Sequence, residues 1–156
     1  MSIMTGPDEA GARPGFESGT GFLLARLGSL ATRSWQAFLA GHGLTQTQYA
    51  TIMVLAERGP LGQHRLARIL AVDARNLVAV LDRLAERDLV ARATDPADRR
   101  RRNVRLTGPG AALAQALEAA AAVARDDFLR ALSPQQRGQL NLLLESLYEA
   151  HARAPG

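Results

Sequence analysis

Residues 98–107 read DRRRRNVRLT, a run of arginines that leads into a short apolar segment. Residues 89–93 and 104–106 are compatible with short strands, and the run between them is polar and rich in Arg and Asp. This pattern predicts a β-hairpin with a basic tip. Six arginines and two aspartates lie from Arg92 to Arg105, and their net charge of +4 equals that of the whole chain. The positive charge is therefore concentrated at one hairpin.

Two short helices are predicted directly before the hairpin. The first ends at Ala71-Val72, and Asp73 follows where a helix N-cap is wanted. The Asp73 carboxylate can accept a hydrogen bond from the amide of Arg75 or Asn76 at the positive end of the second helix. That second helix runs to about Arg87. Two short helices joined by a tight turn are typical of a helix-turn-helix.

Longer helices are predicted on both sides of this pair. One covers about 20–42, and the next covers about 46–58, where the sequence TQTQ has the form of a capping box. An Ala-rich helix extends over about 109–132. The sequence SPQQ, with an N-cap Ser, an N1 Pro and an N3 Gln, then starts a last helix. Residues 1–19 lack an apolar period and are predicted to be a flexible arm.

Composition excludes several classes of protein. The chain has no Cys, so disulfides, thiolate metal sites and regulation by thiol oxidation are excluded. Its three histidines share no metal-ligand spacing, no Gly-rich phosphate loop follows a strand, and no Ser lies on a nucleophile turn. We therefore expect no enzyme, no metal and no cofactor. Without a long apolar stretch or a signal sequence, the chain is expected to be cytoplasmic and not in a membrane.

The second short helix carries side chains suited to reading DNA bases. Arg can bond guanine with two hydrogen bonds, Asn can do so with adenine, and an apolar group can meet the thymine methyl. The outward residues of this candidate recognition helix are Ala74, Arg75, Asn76, Val78, Ala79 and Arg83. Alternatives stay open: Asn76 also suits a helix cap, Arg83 also suits an ion pair with Glu86, and an arginine hairpin also suits a solvated loop.

The hairpin sequence resembles the wing of the MarR family. Residues 98–107 fit the pattern D-x-R-x-x-x-x-x-L-T of that wing, and the flanking TDPA at 94–97 and Gly110 are also similar to the family. The resemblance extends from Phe22 to His151 and includes the segments before the second and fourth helices. It implies a mainly α winged helix-turn-helix with a small β-hairpin wing and a helical dimerisation region formed by the N- and C-terminal helices.

The resemblance also implies different roles for different segments of the chain. Residues 20–156 would form a single domain, in which about 20–42 and 109–151 are dimerisation helices and about 45–107 is the DNA-binding lobe. The wing arginines Arg99, Arg100, Arg101 and Arg102 are expected to contact DNA, and in this family the Arg of the motif, here Arg100, enters the minor groove. The Asp of the motif, here Asp98, would hold Arg100 in position for the minor groove rather than touch DNA itself.

The chain departs from the family pattern after and at the start of the recognition helix. Asp88 stands where the family commonly has Gly, and Asp tolerates a left-handed backbone better than most residues. Arg75 and Asn76 stand where the family often has Ser or Thr. The turn is therefore expected to form, but the operator sequence cannot be carried over from relatives.

Many members of the family respond to small anionic or phenolic ligands bound between the dimer helices and the DNA lobe. The residues placed to line such a pocket here are Trp35, Phe38, His42 and Tyr49. Their helical spacing is equally that of ordinary core residues, and this alternative stays open.

The sequence thus predicts a DNA-binding transcriptional regulator. We expect a homodimeric repressor that binds double-stranded DNA at a pseudo-palindromic operator and is relieved by a small aromatic or anionic ligand. The alternative is a winged-helix protein-interaction module without sequence-specific DNA binding. Only the DNA-binding protein should bind DNA with an affinity that falls steeply with salt.

Overall fold

The computed structural model describes residues 14–95, 97–98 and 102–152. This part of the chain is mainly α, with a short 3-10 helix (Gly15–Ser18) before the first α-helix. The elements in order are α1 (Thr20–Gly41), α2 (Gln46–Arg58), β1 (Leu61–Gly62), α3 (Gln63–Leu70), α4 (Ala74–Glu86), β2 (Val90–Thr94), β3 (Arg102–Leu106), α5 (Gly108–Phe128) and α6 (Pro134–Ala152). They form two compact units, one ending at Ala37 and the other beginning at Phe38. No helix among the described residues is long and apolar enough to cross a membrane.

The helix starts follow from local hydrogen bonds that the sequence encodes. The Thr45 hydroxyl accepts from the Gln48 amide at 3.2 Å, and the Gln48 side chain accepts from the Thr45 amide at 2.9 Å. Ser133 and Gln136 make the same pair of bonds at the start of α6, at 3.3 and 2.9 Å. The Asp73 carboxylate accepts from the amide of Arg75 at 2.7 Å and caps α4. The predicted capping boxes and N-cap are therefore confirmed.

The predicted hairpin is confirmed and belongs to a three-stranded antiparallel sheet. The strand order is β1-β3-β2, with Val90 opposite Leu106 and Thr94 opposite Arg102. The third strand, β1, was not predicted; Leu61 pairs with Val104. Through this pairing the wing is joined to the start of α3.

The hydrophobic core of the second unit lies between its helices and the sheet. Apolar residues from α2, α3, α4, β3 and α5 converge there, so that one face of each element is hidden from water. The side chains that are less than 2% exposed are Ile52, Leu66, Leu77, Leu81, Leu84, Val104, Leu117 and Thr51. Thr51 satisfies its hydroxyl by donating to the Thr47 carbonyl at 2.7 Å. Because α4 supplies three of these residues, its opposite face is left to solvent.

A tight joint connects the end of α4, the wing and the start of α5. Asp88 adopts the left-handed backbone predicted for it, with φ of 54°. The Thr107 hydroxyl donates to the Asp88 carbonyl and accepts from the Gly110 amide, while the Thr107 amide donates to Leu89 O at 3.1 Å. A Cβ atom at Gly110 would lie 1.9 Å from that same Leu89 oxygen. Only glycine fits this approach of α5 to the turn.

Two segments differ from the sequence predictions. Helix α5 ends at Phe128 and not near Leu132. The carbonyls of Leu129 and Leu132 accept instead from Nε of Arg137, at 3.2 and 3.0 Å, so a side chain of α6 satisfies groups that further helix would have paired. At the other end, residues 15–18 of the predicted flexible arm form the 3-10 helix, and residues 1–13 of that arm lie outside the described residues.

Candidate nucleic-acid interface

The helix α4 exposes the side chains that the sequence assigned to base reading. Leu77, Leu81 and Leu84 anchor one face in the core with no exposed surface. On the opposite side, Arg75, Asn76, Val78, Ala79 and Arg83 are exposed, and Ala74 is half-buried. The burial of one leucine face therefore presents the other face as a continuous surface.

The alternative roles of Asn76 and Arg83 find no support in the described part of the chain. Asp73 makes the helix cap through the Arg75 amide, and the Asn76 side chain has no hydrogen-bond partner there. Among the same residues Arg83 makes no ion pair with Glu86. Both side chains are thus available to a ligand of this face.

The described part of the wing includes one of its four predicted DNA-contacting arginines. Arg102 is exposed at the start of β3. Asp98 is half-buried, and its amide donates to Asp95 O at 3.2 Å; the Asp95 carboxylate accepts from the Ala97 amide at 2.8 Å. Arg99, Arg100 and Arg101 lie outside the described residues. The proposed contact between Asp98 and Arg100 therefore stays a prediction.

Sequence reasoning missed an ion pair between the recognition helix and the wing. Nη1 of Arg92 in β2 lies 2.7 Å from Oδ1 of Asp82 in α4. The presence of Asp82 in the sequence could have indicated this ion pair. Asp82 is an acidic residue among the outward residues of a helix that is expected to approach phosphates. A carboxylate at such a position calls for a neutralising partner.

Sequence reasoning also missed a basic cleft beside the wing. A cleft of about 790 Å³ opens between β1, the start of α3 and the first residues of β3. Among the described residues of its lining, Arg65, Arg68 and Arg102 bring three guanidinium groups, against the single carboxylate of Asp95. Guanidinium groups pair with phosphate oxygens, so this lining suits a nucleic-acid backbone.

Two of the four predicted pocket residues, His42 and Tyr49, contact the ring of a third, Phe38. The Phe38 ring lies 4.5 Å from the His42 ring and 6.1 Å from the Tyr49 ring, the latter edge to face. His42 Nδ1 is 2.8 Å from the Phe38 carbonyl oxygen. Trp35 belongs to the first unit and is half-buried. That these four residues line a ligand pocket stays a prediction.

The Tyr49 phenol is held in its neutral form. Partial burial raises its pKa, and the negative charge of Glu118 raises the pKa further. The ordinary pKa of a tyrosine phenol already lies well above neutral pH, so the Tyr49 phenol is protonated there and has a hydrogen-bond donor group.

Known proteins similar to this chain are transcriptional regulators. A model of the MarR family matches residues 44–101. The chain is 35% identical over 113 residues to a putative transcriptional regulatory protein for the hcr operon of Thauera aromatica, covering 72% of this chain and 68% of that protein. It is 31% identical over 134 residues to the transcriptional repressor NicR of Pseudomonas putida, covering 86% and 85%.

A solved structure extends the similarity to the three-dimensional fold. BpsR of Bordetella bronchiseptica, whose DNA binding is regulated by 6-hydroxynicotinic acid, superposes with a TM-score of 0.66 at 26% identity. The match covers 92% of this chain and 100% of that one.

Proposed function

This chain belongs to the MarR family of non-enzymatic DNA-binding transcriptional regulators, and on that premise we propose that it is a homodimeric repressor of a pseudo-palindromic operator. The repressor role follows the name of the NicR relative. In this proposal residues 45–107 are the DNA-binding lobe, and residues 20–42 and 109–151 supply the dimerisation helices. A small aromatic or anionic ligand would release the protein from DNA.

The exposed face of α4 is the observation that carries the proposal. Arg75 and Asn76 are exposed in the first turn of a helix whose other face is anchored in the core. This geometry is that of a recognition helix, which contacts bases with its N-terminal residues. The wing would contribute contacts to phosphates or the minor groove through Arg99, Arg100, Arg101 and Arg102, with Asp98 as a positioning residue.

The surface of α6 supports the dimer. In the described part of this helix no residue is buried, yet it carries large apolar side chains. Leu142, Leu143 and Tyr148 are 65%, 65% and 75% exposed. In the first unit, α1 likewise exposes Leu24 and Leu27, at 42% and 49%. Apolar surfaces of this extent are typical of association between subunits.

We expect the protein to select a two-fold symmetric duplex from a random-sequence pool. Two copies of α4 related by a dimer axis would read half-sites about one helical turn apart, roughly 10 base pairs. Binding should involve two chains per duplex and should weaken by about a thousandfold between 50 and 200 mM salt. Selection followed by titration over a salt series measures all three properties. A pool without enrichment, together with salt-independent binding, would favour the protein-interaction module instead.

The aromatic cluster supports a proposal for the effector. Phe38 and Tyr49 offer ring surfaces and His42 a polar edge, which suit a small aromatic acid. Because the chain has a single Trp, Trp35, its fluorescence reports on one position. We expect 6-hydroxynicotinic acid to change this fluorescence and to weaken operator binding. Because the two binding equilibria are linked, the operator should weaken binding of the ligand by the same factor. Benzamide, a neutral aromatic of similar size, should do neither.

Substitution of Tyr49 tests the assignment of the pocket. Tyr49→Phe removes the phenol donor and keeps the ring, so ligand affinity should fall about tenfold while operator binding without ligand is unchanged. Isothermal titration of both proteins with 6-hydroxynicotinic acid measures the difference. A fluorescence change in Trp35 that leaves operator affinity unaltered would contradict the regulatory proposal.

A further inference from the structure

An ion pair joins the recognition helix to the wing. Asp82 and Arg92 meet at 2.7 Å, with side chains 51% and 29% exposed. We propose that this pair is a clamp that fixes the wing against α4, and that Asp82 is thereby a positioning residue for sequence-specific DNA binding. The inference rests on the proposed function, because specificity has meaning only for a DNA-binding chain.

The strand register directs Arg92 toward α4 and not toward the outer surface of the wing. Arg92 lies opposite Val104, and Val90 lies opposite Leu106. Residues two apart on a strand share a face, and cross-strand partners share it too. Because Val90 and Val104 are buried, 3% and 1% exposed, Arg92 belongs to the face of the sheet that packs on the core. The Arg92 side chain therefore extends along this face to α4, where its guanidinium meets Asp82.

The helix period places Asp82 on the face of α4 that holds Arg75. Seven residues make about two helical turns, so Asp82 lies on the same side as Arg75, with Ala79 between them. An unpaired carboxylate on this face would repel phosphates. Arg92 neutralises that charge while it holds the carboxylate in place.

The ion pair is expected to act by fixing the position of the wing relative to α4, and not by stabilising the fold. Partly exposed ion pairs add little to the stability of a fold. A pair between two different elements nevertheless restricts their relative position, and a protein that uses two grooves needs that position fixed. Loss of the clamp would leave each element able to bind phosphates and impair their simultaneous docking.

The test compares two substitutions that change charge equally on the same helix. Asp82→Asn removes the clamp, and Glu86→Gln is the matched control, because Glu86 is exposed and makes no ion pair among the described residues. Binding of the full-length proteins to the duplex selected by the wild type and to a scrambled duplex is measured at fixed salt. Amide hydrogen exchange of residues 90–94 without DNA reports on the wing directly.

The two possible roles of Asp82 predict opposite changes in affinity when the carboxylate is removed. A positioning role predicts weaker binding to the selected duplex, and a purely electrostatic role predicts tighter binding. Removing an acid near phosphates should tighten binding, so Glu86→Gln should raise affinity for both duplexes by about twofold. Asp82→Asn should instead lower affinity for the selected duplex by about tenfold, leave the scrambled duplex at least as tightly bound, and speed exchange in β2. Arg92→Lys should preserve most of the specificity that Arg92→Gln loses. The double variant Asp82→Asn with Arg92→Gln should discriminate no worse than either single variant.

The outcomes separate the clamp from the proposed function. If Asp82→Asn behaves as Glu86→Gln does on both duplexes and in exchange, the clamp is refuted while the repressor stands. If the wild type binds both duplexes equally, the proposed function fails and with it the specificity role. In that case unchanged exchange in Asp82→Asn would refute the clamp as well.

Discussion

Gly110→Ala is expected to destabilise the protein by about 3 kcal/mol, at the upper end of the range for overpacking. The added Cβ would lie 1.9 Å from the Leu89 carbonyl oxygen and 2.9 Å from its carbon. Both are backbone atoms, and the same carbonyl accepts the Thr107 amide, so the turn cannot give way without losing that bond. For a chain of this size the melting temperature should fall by about 6 to 12 °C.

A second glycine provides the control for this substitution. Gly138 lies in α6 with nothing within 4 Å of the position of its Cβ. Gly138→Ala should therefore stabilise the helix, by up to about 1 kcal/mol. Thermal and urea unfolding of both variants measure the contrast. Equal stabilities for Gly110→Ala and the wild type would mean that the joint is much looser than the structure indicates.

Arg75→Ala is expected to weaken binding to the preferred duplex by about 1 to 3 kcal/mol, roughly five- to 150-fold. Arg75 is exposed in the first turn of α4, where a recognition helix contacts base edges. Removing a base contact should relax discrimination at one or two base pairs and leave binding to unrelated DNA nearly intact. Binding to the selected duplex and to single-base variants of it measures both effects.

The wing should respond differently from the recognition helix. Arg102→Ala removes an exposed guanidinium expected to meet phosphates, so it should weaken binding to all duplexes alike and reduce the salt slope by about 1. Arg100→Ala should behave in the same way. Arg130→Ala, which removes an exposed arginine just after α5, is the control and should leave both the affinity and the salt slope unchanged. If Arg75→Ala weakens every sequence equally while Arg102→Ala shifts preference, the groove assignments are wrong.

Most elements could be predicted from local signals in the sequence. The capping boxes at Thr45 and Ser133 and the cap at Asp73 determine helix starts through side chains within three residues, and such bonds need no tertiary information. The left-handed turn at Asp88 was predicted from a family pattern and is confirmed by its φ of 54°. Strand β1 could not be predicted, because Leu61–Gly62 is too short to show any alternation and forms only by pairing with β3.

The candidate interface was predictable only in part. Helical periodicity predicted which face of α4 is exposed, since the core leucines determine the other face. The ion pair of Asp82 with Arg92 depends on the direction in which β2 leaves the α4 turn, and the basic cleft depends on β1 meeting β3. Both bring together residues from separate elements. The role of Thr107, which the sequence offered only as part of a motif, likewise required the position of α5.

Thr107 also connects the root of the DNA lobe, which is the turn after α4, to the start of α5. Its hydroxyl and amide bond the turn after α4 and the first turn of α5 at once, so a displacement of one would be transmitted to the other. Helix α5 continues from this root for 21 residues, a lever arm of about 30 Å. Tilting that lever would swing the recognition helix and the wing together without changing the angle between them. In a dimer, such a motion would alter the distance between the two recognition helices and preserve how each helix reads its half-site.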